Sequence, residues 1–137
     1  MKKQARKPRP PQAAVAAKIA LPALKKGEIY VGGTIDVDGK VTHTILLPGE
    51  KADVGWKDAI AWAKKEGGDL PNRIEQAMLW AHHAGKFQKR AYWSNAQGAG
   101  YGAFAWGQSF GDGLQGGWLK GSEGMARAVR RLMKAYP

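Results

Sequence analysis

The chain has 137 residues, 44% of them hydrophobic, which is enough for one domain with its own buried core. It contains no cysteine, which excludes disulfide frameworks, thiolate zinc sites and cysteine nucleophiles, and no apolar run is long enough to span a membrane. Its formal net charge of +11 points to anionic partners, such as nucleic acid or an acidic protein surface.

The positive charge is concentrated in residues 1–26, which carry eight basic side chains and no acidic one. Five basic residues and three prolines in "MKKQARKPRPPQ" predict a disordered or extended arm, whereas residues 27–137 carry only +3 and form the predicted domain. Prolines and Lys18 interrupt the apolar part of the arm, so we expect no signal peptide. The arm is either a solubilising tail or a segment that binds an anionic partner. Its basic side chains are Lys2, Lys3, Arg6, Lys7 and Arg9.

The first predicted element of the domain is a β-hairpin in "EIYVGGTIDVDGKVTHTILLP". Apolar residues flank Asp38-Gly39 on both sides, and this dipeptide is typical of two-residue hairpin turns. Pro48-Gly49 closes the hairpin before the first helix begins.

Two amphipathic helices are predicted next. In "GWKDAIAWAKKEGG", apolar residues at helical spacing precede terminal glycines. The predicted buried stripe consists of Trp56, Ala59, Ile60 and Ala63. In "LPNRIEQAMLWAHHAG", Asn72 is the predicted N-cap and Glu75 completes a capping box. The same spacing predicts a second buried stripe of Ile74, Ala77, Met78 and Ala81.

Beyond Phe87 the apolar pattern changes from helical spacing to alternation, which indicates strands. The predicted strands are "AYWSNA", "AFAWGQSF", "LQGGWLK" and "MARAVRRLM", separated by glycine-rich turns. The order of a hairpin, two helices and further strands predicts an α+β fold, in which two helices pack on a small antiparallel sheet.

Several of these segments resemble one family when they are taken in order. The chain contains "WKDAIAWAKKEGGDLPNRIEQAMLW", then "YWSN", "AWGQSFGDGLQ" and a terminal "RAVRRL". This set resembles a lectin-like domain family of unknown function, frequent in bacterial and prophage proteins and related to the C-terminal domain of collagen-like bacterial adhesins. The resemblance covers residues 28–132. It implies a C-type-lectin-like fold with its N- and C-terminal strands paired.

The sequence contains no recognisable metal-binding or catalytic site. "LPN" at residues 70–72 and "WSN" at residues 93–95 lack the paired carboxylates that calcium needs. His82 and His83 are adjacent on a helix and point about 100° apart, so they cannot share one ion comfortably. No serine has a recognisable histidine and acid partner, and no carboxylate pair stands out for acid–base work. We therefore predict no catalytic residue, no metal and no cofactor.

The stretch "KRAYWSNAQGAGYGAFAWGQSFGDGLQGGWLKG" contains the candidates for ligand or partner contact. Tyr101 and Trp118 stand beside glycines in loop-like segments, and aromatic rings near amide side chains suit a sugar ring or a protein interface. The candidates are Asn95, Gln97, Tyr101, Gln108, Gln115 and Trp118. The other tryptophans that we assign, Trp56, Trp62, Trp80 and Trp93, are expected in the core.

The last predicted strand carries three arginines, Arg127, Arg130 and Arg131. We expect them to pair with acids such as Glu75 or to stay in water. The alternative is a basic face that continues into the arm.

The absence of a catalytic constellation favours a non-enzymatic structural or binding protein, and the resemblance to prophage domains implies that it is phage-encoded. We expect it to be made in the host cytoplasm and to join the virion as a capsid decoration or tail component, with other virion proteins or copies of itself as partners. The alternatives are a glycan- or host-receptor-binding module, and nucleic-acid binding through the arm.

Overall fold

The computed structural model describes residues 20–98 and 102–135. The candidate Tyr101 and the basic residues of the arm (Lys2, Lys3, Arg6, Lys7 and Arg9) lie outside this range. The described chain forms an α+β fold, as predicted. Its elements are β1 (Ile29–Ile35), β2 (Lys40–Leu46), β3 (Lys51–Val54), α1 (Trp56–Lys65), α2 (Arg73–His83), a 3-10 turn (Ala84–Lys86), β4 (Ala91–Gln97), β5 (Phe104–Ser109), β6 (Gln115–Leu119), β7 (Gly124–Ala126) and β8 (Val129–Ala135).

The strands form two sheets rather than the single small sheet expected from the sequence. One sheet has the order β1-β2-β8 and the other has the order β3-β7-β4-β5-β6. Neighbouring strands are antiparallel, apart from one parallel pair that joins Tyr92 of β4 to Met125 of β7. The predicted last strand is divided, because the chain passes from one sheet to the other at Arg127 and Ala128. The short strand β3 was not predicted.

The predicted hairpin is confirmed as β1 and β2, but its turn spans residues 36–39 rather than the two residues Asp38-Gly39. The Asp36 carboxylate accepts hydrogen bonds from the backbone N–H groups of Asp38 and Lys40, both at 2.9 Å. This side chain therefore satisfies two donors at the turn, as aspartate commonly does there.

Helix α1 buries the predicted face. Trp56, Ala59 and Ala63 are buried, and Ile60 packs partly against them. At the end of the helix, Gly67 N–H donates to Lys64 O at 3.1 Å and Gly68 N–H donates to Ala63 O at 3.0 Å. These two bonds form a Schellman motif, and Gly67 takes the positive φ (+88°) that the motif requires.

Helix α2 begins as predicted but buries a different face. The Asn72 side chain accepts from Glu75 N–H, and the Glu75 carboxylate accepts from Asn72 N–H, both at 2.8 Å, which confirms the capping box. The predicted stripe is wrong, because Ile74 is 63% exposed, Ala77 and Ala81 are exposed and Met78 is only half-buried. The buried residues of α2 are Glu75, Gln76 and Leu79.

The buried polar residues of α2 are held by partners from distant parts of the chain. Glu75 accepts from Thr44 Oγ1 at 2.7 Å and from two guanidinium nitrogens of Arg131 at 2.7 and 2.8 Å. Gln76 Nε2 donates to Tyr92 O at 3.0 Å. Because the Glu75 carboxylate and Gln76 Nε2 keep hydrogen bonds, their burial costs far less than that of unpaired polar groups. Gln76 Oε1, by contrast, is buried without a hydrogen-bond partner among the described residues.

The hydrophobic core has two parts. One contains residues of α1 and of the five-stranded sheet, and the other surrounds Leu79 of α2 and draws on both sheets. In the first part, Trp56 Nε1 donates to Ser94 O and Trp93 Nε1 donates to Val54 O, both at 2.8 Å. The prediction that Trp93 lies in the core is confirmed, since it is 3% exposed.

Candidate functional site

The five described candidates lie on β4, β5 and β6, and most of them bond to their own chain. Asn95 Nδ2 donates to Asp69 Oδ2 at 3.0 Å. Gln97 is exposed, and its Oε1 accepts from Lys120 Nζ at 3.0 Å. A ligand that bonded to either amide would have to compete with these contacts.

Gln108 and Gln115 are also held within the protein. Gln108 is 1% exposed, and its Nε2 donates to Ser109 O at 3.1 Å and to Leu114 O at 3.4 Å. A surface ligand could reach Gln108 only if this turn opened. Gln115 accepts from Arg73 Nε at 3.2 Å and donates to Arg73 O at 2.7 Å, so it ties β6 to the first turn of α2.

Trp118 is half-buried and packs on a glycine of the neighbouring strand. A Cβ placed on Gly107 would lie 3.0 Å from two atoms of the Trp118 ring and 2.9 Å from Tyr92 O, so no larger residue fits there without a shift. Between Trp118 and Trp93 is a small cleft of about 60 Å³, which Ser122 and Glu123 help to line. This volume is about that of two water molecules, which is too small for a sugar ring.

A larger open groove of about 860 Å³ lies beside this cleft, at the start of α1. Its charged lining contains three cations and three anions, namely Lys51, Lys57, Lys120, Asp53, Asp58 and Glu123. Lys120 Nζ lies 4.7 Å from the Trp56 ring centroid. The groove therefore offers hydrogen-bonding groups of both signs and no net charge.

A second surface carries exposed apolar side chains that the sequence did not single out. The Arg73 guanidinium lies over the Trp106 ring at 3.5 Å from the centroid, and Phe104 and Leu119 face each other across β5 and β6. Phe104 and Leu119 are 36% and 53% exposed. We call this set the β6 surface: Arg73, Phe104, Trp106 and Leu119.

The arginines near the C-terminus are largely paired, in agreement with the favoured expectation. Arg131 binds Glu75 and also Asp69, whose Oδ2 lies 2.7 Å from Nη1. Arg130 forms two bonds of 2.8 Å with Glu28, and these bonds lower the pKa of Glu28 to about 2. Arg127 instead donates to the carbonyls of Lys86 and Leu47, both at 2.9 Å.

A buried tyrosine beside Arg127 does not supply an accessible base. Burial, followed by the hydrogen bond to Glu50, raises the pKa of Tyr92 to about 12. Its hydroxyl donates to Glu50 Oε1 at 2.8 Å and accepts from Gln88 N–H at 3.0 Å. The phenol therefore stays protonated at neutral pH and links β4 to the loop that follows α2.

Among the described residues, no three histidine, aspartate or glutamate side chains are grouped so that they could hold a metal ion. In the same part of the chain, none of the helices is both long and apolar enough to cross a membrane. Comparison of the chain with models of known protein families and with curated proteins gave no match.

Proposed function

We propose that this protein is a non-enzymatic structural component of a phage particle, with a C-type-lectin-like body that binds a neighbouring protein subunit through the β6 surface. The resemblance to prophage lectin-like domains supports the proposal that the protein belongs to a phage particle. The strongly basic arm provides a second contact for an acidic neighbour.

The β6 surface carries this proposal because of the contrast between its apolar and polar side chains. The amides that would recognise a sugar bond to Asp69, Lys120, Arg73 or a turn carbonyl of the same chain. By contrast, the apolar side chains of Phe104 and Leu119 are 36% and 53% exposed. Covering one such side chain contributes about 1.5–3 kcal/mol. Tryptophan and arginine, here stacked as Trp106 and Arg73, are the residues most enriched at protein-interface hot spots.

The test uses particles produced by a strain that carries the gene, purified and probed for the chain by quantitative immunoblot. We expect the wild-type chain to co-purify with particles. We expect the double variant Phe104→Ser/Leu119→Ser to be retained at least ~10-fold less, because two exposed apolar contacts are lost.

A matched control is the double variant Ile35→Ser/Met133→Ser. These residues are 67% and 71% exposed but belong to the three-stranded sheet. The control should be retained like the wild type. A chain that is absent from particles, or equal retention of the two double variants, would overturn the proposal.

The groove at the start of α1 favours a second candidate function, the binding of a glycan or a glycosylated host receptor. Alternating cationic and anionic side chains suit the hydroxyl groups of a sugar, and the groove has the volume that the cleft beside Trp118 lacks. On a glycan array, Lys57→Ala should lose binding, because Lys57 lines the groove. Lys64→Ala, an exposed position on the same helix, should retain it. An array on which the wild type binds nothing rejects this candidate.

A further inference from the structure

We infer that two copies of this chain associate through the free edge of β6, so that their two five-stranded sheets join into one continuous antiparallel sheet. This pairing uses the backbone edge of β6, whereas the proposed contact with a neighbouring subunit uses the side chains on its face. The inference therefore stands or falls independently of the proposed function.

The hydrogen bonds to β5 determine which groups of β6 point away from the sheet. Lys120 N–H donates to Ala103 O at 2.9 Å, and Leu114 O accepts from Ser109 N–H at 2.8 Å, so residues 114 and 120 face β5. Because antiparallel ladders alternate, residues 116 and 118 also face β5, and residues 115, 117 and 119 face outward. In the described parts of the chain, no strand lies beyond β6.

The outward residues are self-complementary in register. An antiparallel pair centred on Gly117 places Gly117 opposite itself and Gln115 opposite Leu119 of the second copy, so every outward residue meets an outward residue. Leu119 O already accepts from Ser122 N–H at 2.9 Å. The remaining outward groups of the two copies can form about four new backbone hydrogen bonds.

The side chains of β6 permit this pairing. The same register places Trp118 opposite Gly116 of the second copy, so the largest side chain of each strand faces a residue that has none. "QGGWL" contains no charged residue and no proline, the usual devices that keep edge strands apart. Lys120, the nearest cation along the strand, is turned toward its own chain, where it binds Gln97 Oε1 and lies over Trp56.

The test measures the mass of the full chain in solution by light scattering across a concentration series. It is done at low and at high salt, because a net charge of +11 repels a second copy. We expect the mass to rise with concentration from 14.8 kDa toward twice that value, and to do so at lower concentrations in high salt. A wild-type mass that stays at 14.8 kDa throughout both series would overturn the inference.

Two variants locate the contact. Gly117→Lys places like charges opposite each other on the axis, and Gly117→Pro removes an outward N–H without touching the ladder to β5. A Cβ at Gly117 makes only ordinary contacts of 3.8 and 3.9 Å with Phe104, so the fold tolerates the lysine. Both variants should remain at the mass of one chain at every concentration where the wild type pairs.

The control is Gly121→Lys, which adds the same charge at an exposed position with no atom within 4 Å of the new Cβ. It should pair like the wild type. Equal pairing of Gly117→Lys and Gly121→Lys would show that the edge of β6 is not the contact. The double variant Phe104→Ser/Leu119→Ser leaves every backbone group of the edge intact and should still pair, so loss of particle binding and loss of pairing are distinguishable.

Discussion

The two sheets of the molecule are stabilised by different kinds of contact. The three-stranded sheet is joined to α2 by a buried carboxylate, Glu75, which bonds to Thr44 of β2 and Arg131 of β8. The β4–β5–β6 part of the other sheet relies on tryptophan rings that pack against glycines, as Trp118 does on Gly107. The first kind of contact is polar and closed within the chain. The second is apolar and depends on the absence of a side chain at glycine.

The two kinds of contact respond differently to substitution. A buried ion pair contributes little net stability, but the loss of one member leaves an unpaired charge inside the protein. A ring that packs on a glycine leaves no room for a larger residue at that position. This kind of contact needs no buried polar group.

Arg131→Met tests the buried ion pair with Glu75 and has the largest expected effect on stability. It leaves the 3% exposed carboxylate of Glu75 without its charge partner, and we expect a loss of about 3–5 kcal/mol in the free energy of unfolding. Urea denaturation measures this loss. Arg90→Met removes an exposed, solvent-screened ion pair with Asp53 and should change the free energy of unfolding very little. Similar urea midpoints for the two variants would show that the buried ion pair matters no more for stability than the exposed one.

Gly107→Ala tests the packing of the Trp118 ring on Gly107. The new Cβ would lie 2.9 Å from Tyr92 O and 3.0 Å from the Trp118 ring, so we expect a loss of about 1–3 kcal/mol and a changed near-ultraviolet circular dichroism spectrum. Gly121→Ala adds the same methyl group where no atom lies within 4 Å, and it should change stability by less than about 0.5 kcal/mol. An unaltered spectrum and midpoint in Gly107→Ala would refute this account of the packing.

The smallest expected effect concerns pH and the pair between Glu28 and Arg130. The pKa of Glu28 is lowered from 4.5 to about 2 by its hydrogen bonds with Arg130, so the pair stabilises the fold fully above pH 4.5. This contribution is lost as the pH falls from 4.5 through 2. Over that range, Glu28→Gln should show a shallower fall in melting temperature than the wild type. Glu66→Gln, at an exposed carboxylate for which the described residues provide no ion pair, should follow the wild-type curve.

The sequence predicted the hairpin, both helices and most strands, because local signals determine those elements. Asp38-Gly39 and the capping box of Asn72 and Glu75 require only residues a few positions apart. The buried face of α2 was predicted wrongly, because it depends on Arg131, which is 56 residues away from Glu75. Apolar periodicity cannot identify a face whose buried members are a glutamate and a glutamine with distant partners.

The candidate site was less predictable than the fold. Amide side chains near aromatic rings suggested ligand contacts, but Gln108 is buried against a turn and Gln115 bonds to Arg73. The β6 surface arises because Arg73 of α2 lies over Trp106 of β5. A pairing between a helix and a strand 33 residues apart leaves no local signature in the sequence. In the sequence, this face of β5 could be recognised only from the alternation of Phe104 and Trp106 with smaller residues.

The crossed indole bonds of Trp56 and Trp93 have a consequence for hydrogen exchange. Each indole donates to a carbonyl close in sequence to the other tryptophan, so the two bonds join the segment from Val54 to Trp56, at the junction of β3 and α1, to the middle of β4. We expect both protons to reach solvent only when this segment separates from β4. The two Nε1 protons should therefore exchange with deuterium at one common rate, set by a single opening of the core.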